Sequence, residues 1–152
     1  MDQALHDRVA RHIADKRFPF PNQQNWPADF QTVVNAGQQN RAIELSDGAA
    51  YPDIVIVDGG DTVREMGEIE LAVDDSLAAK WAAYSAALPI NPDTNVRQFF
   101  VYGPSGQEET ARQLLDQNGI SYAGVRQFLV ADDGAIRIIP YVTPGAAQDH
   151  RE

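Results

Sequence analysis

The chain has 152 residues, 43% of them hydrophobic and 22% charged, with no cysteine and a formal net charge of -10. That length suits one domain, and the missing cysteine excludes a disulfide framework, thiolate zinc ligands and a thiol nucleophile. Apolar runs such as Ile54 to Val57 fall far short of the ~20 residues of a membrane helix, and so acidic a surface does not grip nucleic acid by bulk charge, so a soluble, cytoplasmic protein with no membrane partner is expected.

Residues 2–17 predict an amphipathic helix, with Leu5, Val9, Ala10 and Ile13 on one stripe and Asp2, Asp7, Arg8, Arg11 and Asp15 off it. Pro19 and Pro21 end it. Residues 18–40, rich in Asn, Gln and Pro, read as a long connection with at most a helical turn or short helix around Phe30, Val33 and Val34. The period then changes to that of strands. Arg41–Leu45, Pro52–Val57 and Val63–Leu71 are three extended runs separated by Ser46-Asp47-Gly48 and Asp58-Gly59-Gly60-Asp61, which predicts an antiparallel meander. Asp74–Leu88 reads as a helix capped by Asp74, Asp75 or Ser76 and stopped by Pro89. A strand over Arg97–Tyr102, a helix over Gln107–Asn118 closed by Gly119, and a strand pair over Val125–Val130 and Ala135–Tyr141 complete the chain. The order describes one mixed α/β domain over residues 1–141, followed by a flexible tail over 142–152.

Charge is uneven along this order. Residues 51–100 carry nine acidic against three basic side chains, and so hold six of the ten excess negative charges. A solvated acidic face is the plain explanation. A convergent site is the sharper one. Side chains on a strand alternate, so Glu68 and Glu70 share a face about 7 Å apart along the chain, while Ile69 points to the core. A hairpin turning at 58–61 brings Asp53 beside them. Three carboxylates on one face repel unless one is protonated or a divalent cation binds among them, and oxygen-only ligation suits Mg²⁺ or Mn²⁺.

At Pro52-Asp53 and Glu68-Ile69-Glu70, with the helix before and the helix and strand after, the chain resembles the PD-(D/E)xK nuclease superfamily over roughly residues 1–102. The resemblance implies a restriction-endonuclease-like mixed sheet, built as helix, three-strand meander, helix and strand, with an added helix and C-terminal strands. It implies a Mg- or Mn-dependent nuclease hydrolysing phosphodiesters, most readily those of DNA. Carried over, Asp53 and Glu68 are metal ligands, and the Ile69 carbonyl is a further one. Glu70 stands where the motif has lysine. Some restriction-type members also carry Glu there, as general base or extra ligand, and in others the lysine comes from the next helix. Lys80 is the lysine in that region. The rival implication is a nuclease-fold binding or scaffolding domain without activity, and a third is an unrelated acidic α/β domain.

Other features carry less. Gly103-Pro104-Ser105-Gly106 sits between a strand and a helix, but it lacks a P-loop ending, and Glu108 and Glu109 already occupy the helix N-terminus, so it reads as a connector. His6 and His12, six residues and about 600° of helix rotation apart, do not share a face. Both read as surface residues, with His12 the weak functional candidate. Phe18, Phe20 and Trp26 read as anchors for the long connection. A chain this acidic needs a homodimer or a partner protein to approach DNA, and Arg41, Arg64, Arg97 and Arg126 are the residues that a basic strip would use.

Overall fold

The computed structural model describes residues 3–144 other than Asn22 and Asn25. Helix α1, Gln3–Arg17, buries Val9, Ala10, Ile13 and Ala14, the stripe expected from its 3.6-residue period. Lys16 and Arg17 lie in its last turn, where cations suit the helix dipole.

The connection after α1 contains a strand, not a helical turn. Gln31–Val34 forms β1 and pairs antiparallel with β4, Ile54–Val57. Four residues are too few for helical and strand periods to separate, and the two adjacent valines take the state that a neighbouring strand offers. The meander also has a different first member. Ile43–Leu45 (β2) pairs only with Gly48–Ala50 (β3), in a two-stranded sheet of its own. The Ser46-Asp47 turn folds that run straight back on itself, and Ile43 is buried beside the aromatic residues Trp81 and Tyr84 rather than in the main sheet.

The main sheet has the order β1-β4-β5-β6-β7-β8. Strand β5, Val63–Ile69, returns antiparallel to β4 after a turn in which Asp58 Oδ1 accepts from the amides of Gly60 and Thr62. Strand β6, Phe99–Pro104, lies parallel to β5, and the crossover between them holds helix α2, Ala78–Ala86. The start of the expected Asp74–Leu88 helix is a 3-10 turn, Asp75–Leu77, capped by Asp74. A second crossover holds α3, Glu108–Gln117, and leads to β7, Gly124–Val130, parallel to β6. Strand β8, Ile136–Val142, closes the sheet antiparallel to β7. Val142 thus belongs to β8 rather than to the expected tail, of which residues 145–152 lie outside the described residues.

Helices cover both sheet faces. Ile54, Ile56, Ile69, Phe100 and Tyr102 pack with α1, whereas Met66, Phe99, Val101 and Val125 pack with Trp81 of α2 and Leu115 of α3. Each fully buried aliphatic side chain among these contributes roughly 1.5–3 kcal/mol. The alternation along β5 positions the carboxylates. Met66, Glu68 and Glu70 turn toward α2, and Gly67 and Ile69 turn toward α1.

Candidate functional site

Asp53 precedes β4, and the pairing of Ile54 with Gly67 sets Asp53 against Glu68. The Asp53 amide donates to Glu68 Oε2 at 2.7 Å, and the Ile69 amide donates to Asp53 Oδ2 at 2.9 Å. Glu68 and Glu70 are 3% and 9% exposed. Ile69 lies in the core beneath α1, as its parity requires.

Helix α2 supplies the cation. Lys80 Nζ stands 3.0 Å from Glu68 Oε1 and 2.7 Å from Glu70 Oε2. The next residue, Trp81, donates its indole N–H to Glu70 Oε2 at 3.0 Å. A fully buried indole finds a polar partner here, and that contact fixes which turn of α2 faces the carboxylates.

Helix α1 supplies a second cation that the sequence reading assigned to the surface. His6 Nε2 lies 3.2 Å from Asp53 Oδ2, and its Nδ1 lies 3.1 Å from Asp7 Oδ1. Gln3 Nε2 donates to the same Asp7 oxygen at 2.7 Å. His12, the histidine preferred from sequence, is not among the residues that line the cavity. The six-residue separation that keeps the two from sharing a face sends one to the carboxylates and the other away. No motif marks His6; what decides its place is the packing of α1, whose first turns lie over the end of the sheet where Asp53 emerges.

The cavity bounded by these groups has a volume of about 410 Å³ and is also lined by Tyr51, Leu71 and Tyr84. Burial, reinforced by the Asp53 charge and opposed by Lys80, raises the Glu68 pKa well above the ordinary carboxylate range. Burial alone would lower that of Lys80, but the charges of Glu68 and Glu70 outweigh it, and the ammonium is held more firmly than in water. The hydrogen bond to Asp53 lifts His6 to about 9. Tyr84 rises to about 12 through burial and the nearby Glu68 charge, so it stays a neutral phenol at physiological pH. Two protein cations therefore share in relieving the repulsion, and the raised Glu68 pKa makes protonation, one of the two outcomes expected from sequence, easier as well.

Asp53, Glu68, Glu70 and Lys80 are brought together. Among the described residues, however, no three His, Asp or Glu side chains form a ready cation cage. The donor chemistry still fits a hard divalent cation, because Asp53, Glu68 and the Ile69 carbonyl offer only oxygen. The arginines do not form a basic strip. Arg126 is 1% exposed, Arg41 and Arg64 face Asp61 and Asp58, and an Arg97 guanidinium nitrogen donates to the Leu88 carbonyl. The turn at 103–106 is a connector, as expected, with the Gly106 amide donating to Glu108. Trp26 and Phe30 pack edge to face with ring centroids 5.3 Å apart, against the α1 core.

No protein-family model, curated protein or solved structure matches the chain. No helix among the described residues is long and apolar enough to cross a membrane.

Proposed function

We propose that the chain is a cytoplasmic, metal-dependent phosphodiesterase of the PD-(D/E)xK type that acts on DNA, with its lysine carried on α2. The order α1, an antiparallel trio β1-β4-β5, α2 and a parallel β6 agrees with the restriction-endonuclease-like core. In this reading α3, β7 and β8 are additions. The observation that carries the proposal is the Lys80 ammonium within hydrogen-bond reach of both Glu68 and Glu70. It supplies, from the helix, the charge that the strand motif lacks at Glu70.

Asp53, Glu68 and the Ile69 carbonyl would hold Mg²⁺ or Mn²⁺, with Glu70 available to a second ion. Such an ion supplies Lewis acidity toward a phosphoryl oxygen and lowers the pKa of a water. Glu70 accepts a proton from or orients the attacking water, and Lys80 offsets the negative charge that grows on phosphorus oxygens in the transition state. With Arg41, Arg64, Arg97 and Arg126 engaged elsewhere, DNA delivery falls to a homodimer or a partner protein.

Calorimetry with Mn²⁺ on the wild type and on Asp53→Asn tests the metal site, since the substitution removes a ligand charge. Plasmid and single-stranded DNA incubated with Mn²⁺, with Glu68→Ala as control, test hydrolysis. Equal heats, or cleavage that survives Glu68→Ala, would remove the proposal. A second reading, a nuclease-fold binding or scaffolding domain without activity, is favoured by Arg41 and Arg64, which face Asp61 and Asp58 rather than a shared strip. It requires DNA or partner binding without cleavage.

A further inference from the structure

Among the described residues, the Asp53 carboxylate is held through Oδ2. Oδ2 accepts from the Ile69 amide at 2.9 Å and lies 3.2 Å from His6 Nε2, which leaves Oδ1 for a ligand. His6 is braced in turn through its other nitrogen, 3.1 Å from Asp7 Oδ1, and Asp7 is steadied by Gln3 at 2.7 Å. With an acceptor at each ring nitrogen, the imidazole can neither flip nor rotate without losing a bond. Gln3, His6 and Asp7 stand at i, i+3 and i+4 and so share one face of α1. The adjoining stripe of the helix, Val9, Ala10 and Ile13, with Ala10 one turn beyond His6, is locked in the core. The brace therefore stands on a helix anchored in the core and ends on a residue that lines the cavity.

We propose that His6, backed by Asp7, is a positioning residue that fixes the Asp53 carboxylate in register with Glu68 for cation binding. This rests on the metal-site reading above and adds to it a group that the PD-(D/E)xK motif does not contain. A carboxylate ligand held by an outer hydrogen-bond partner loses about 10- to 100-fold in metal affinity when that partner is removed.

The test is calorimetric titration of the full chain with Mn²⁺, comparing wild type with His6→Ala, His6→Gln and Asp7→Asn, and with thermal unfolding of each variant recorded alongside. The expected result is at least about tenfold weaker binding in His6→Ala. His6→Gln, whose amide can still donate to Asp53, should recover most of the loss, and Asp7→Asn should fall between. Recovery by Gln at an unchanged midpoint of unfolding separates positioning from a merely structural role. If His6→Ala fails to fold, Asp7→Asn decides alone, and affinity equal to wild type there overturns the inference. Unchanged binding in a folded His6→Ala overturns it too. Tighter binding in that variant does the same, since His6 would then be a competing counter-ion. A wild type that takes up no Mn²⁺ instead removes the metal-site reading itself, and the inference with it.

Discussion

Asp53 and Glu68 clasp one another across two strands: the amide of Asp53 donates to the Glu68 carboxylate, and the amide next to Glu68, that of Ile69, donates to the Asp53 carboxylate. The clasp makes charge and hydrogen bonding separable at Asp53. Asp53→Ala strands the Ile69 amide and the His6 ring, and it should cost about 1–3 kcal/mol, the range for orphaned buried donors. Asp53→Asn keeps an acceptor oxygen and gives up only the charge, so it should cost less than Asp53→Ala. Urea unfolding of both variants measures the difference. Equal losses would mean that the charge, not the bond, holds the strand end.

Lys80 is the hub for Glu68 and Glu70. Breaking a buried pair from one side costs about 3–5 kcal/mol, but Lys80 is over a third exposed, so solvent screening reduces the expected loss in Lys80→Met to roughly 2 kcal/mol. The loss should depend on pH. Without the ammonium the Glu68 pKa rises further, so the folded state resists ionisation more, and the variant should be weaker at pH 8 than at pH 5. A double variant, Lys80→Met with Glu70→Gln, should regain about 1 kcal/mol by double-mutant cycle. Additive losses would show that the contacts are not coupled.

These two residues also mark how far the sequence could be read. The alternation of Met66, Glu68 and Glu70 against Ile69 is a local property of one strand, and the structure keeps it. The hairpin turn at 58–61 likewise set Asp53 against Glu68. Contacts between distant elements were less legible. The four-residue strand β1 has too little pattern of its own and forms because β4 offers an edge. Arg41–Leu45 has good strand character, but the glycine at 48 turns it into a separate hairpin. His6 carries no motif, and its role depends on the packing of α1 against the sheet end. Lys80 was visible as a candidate only through the resemblance. Its reach to the carboxylates depends on the rotation of α2, which the buried Trp81 fixes.

The His6–Asp53 pair gives stability a definite pH dependence. The folded pKa of His6, about 9, lies above its ordinary 6.5. The contribution is therefore complete below about pH 6.5 and is lost as pH rises through about 9. After discounting for partial exposure it amounts to about 1–2 kcal/mol. Subtracting the unfolding free energies of His6→Gln from those of wild type over this range isolates it, because the His12 pKa is lowered by burial and its effect falls below the window. A flat difference from pH 6 to 10 would rule out the charged pair.

Gly124 at the start of β7 is set by packing rather than by backbone angle. A Cβ there would lie 1.5 Å from Arg126 Nη1 and 3.1 Å from Phe100 Cδ2. Arg126 has nowhere to retreat, being 1% exposed with its guanidinium 5.2 Å from the centre of the Phe100 ring. Gly124→Ala should then cost about 3 kcal/mol, at the upper end of overpacking losses. Gly103→Ala, whose added carbon would meet only Val73 at 3.4 Å, should cost far less. Arg126→Met combined with Gly124→Ala should recover part of the loss, because the shorter unbranched chain can bend away from the new methyl group while keeping contact with Phe100. Thermal unfolding of the four proteins reads all three effects. A Gly124→Ala midpoint equal to that of wild type would show that Arg126 has room to move, and would undo the account of that glycine.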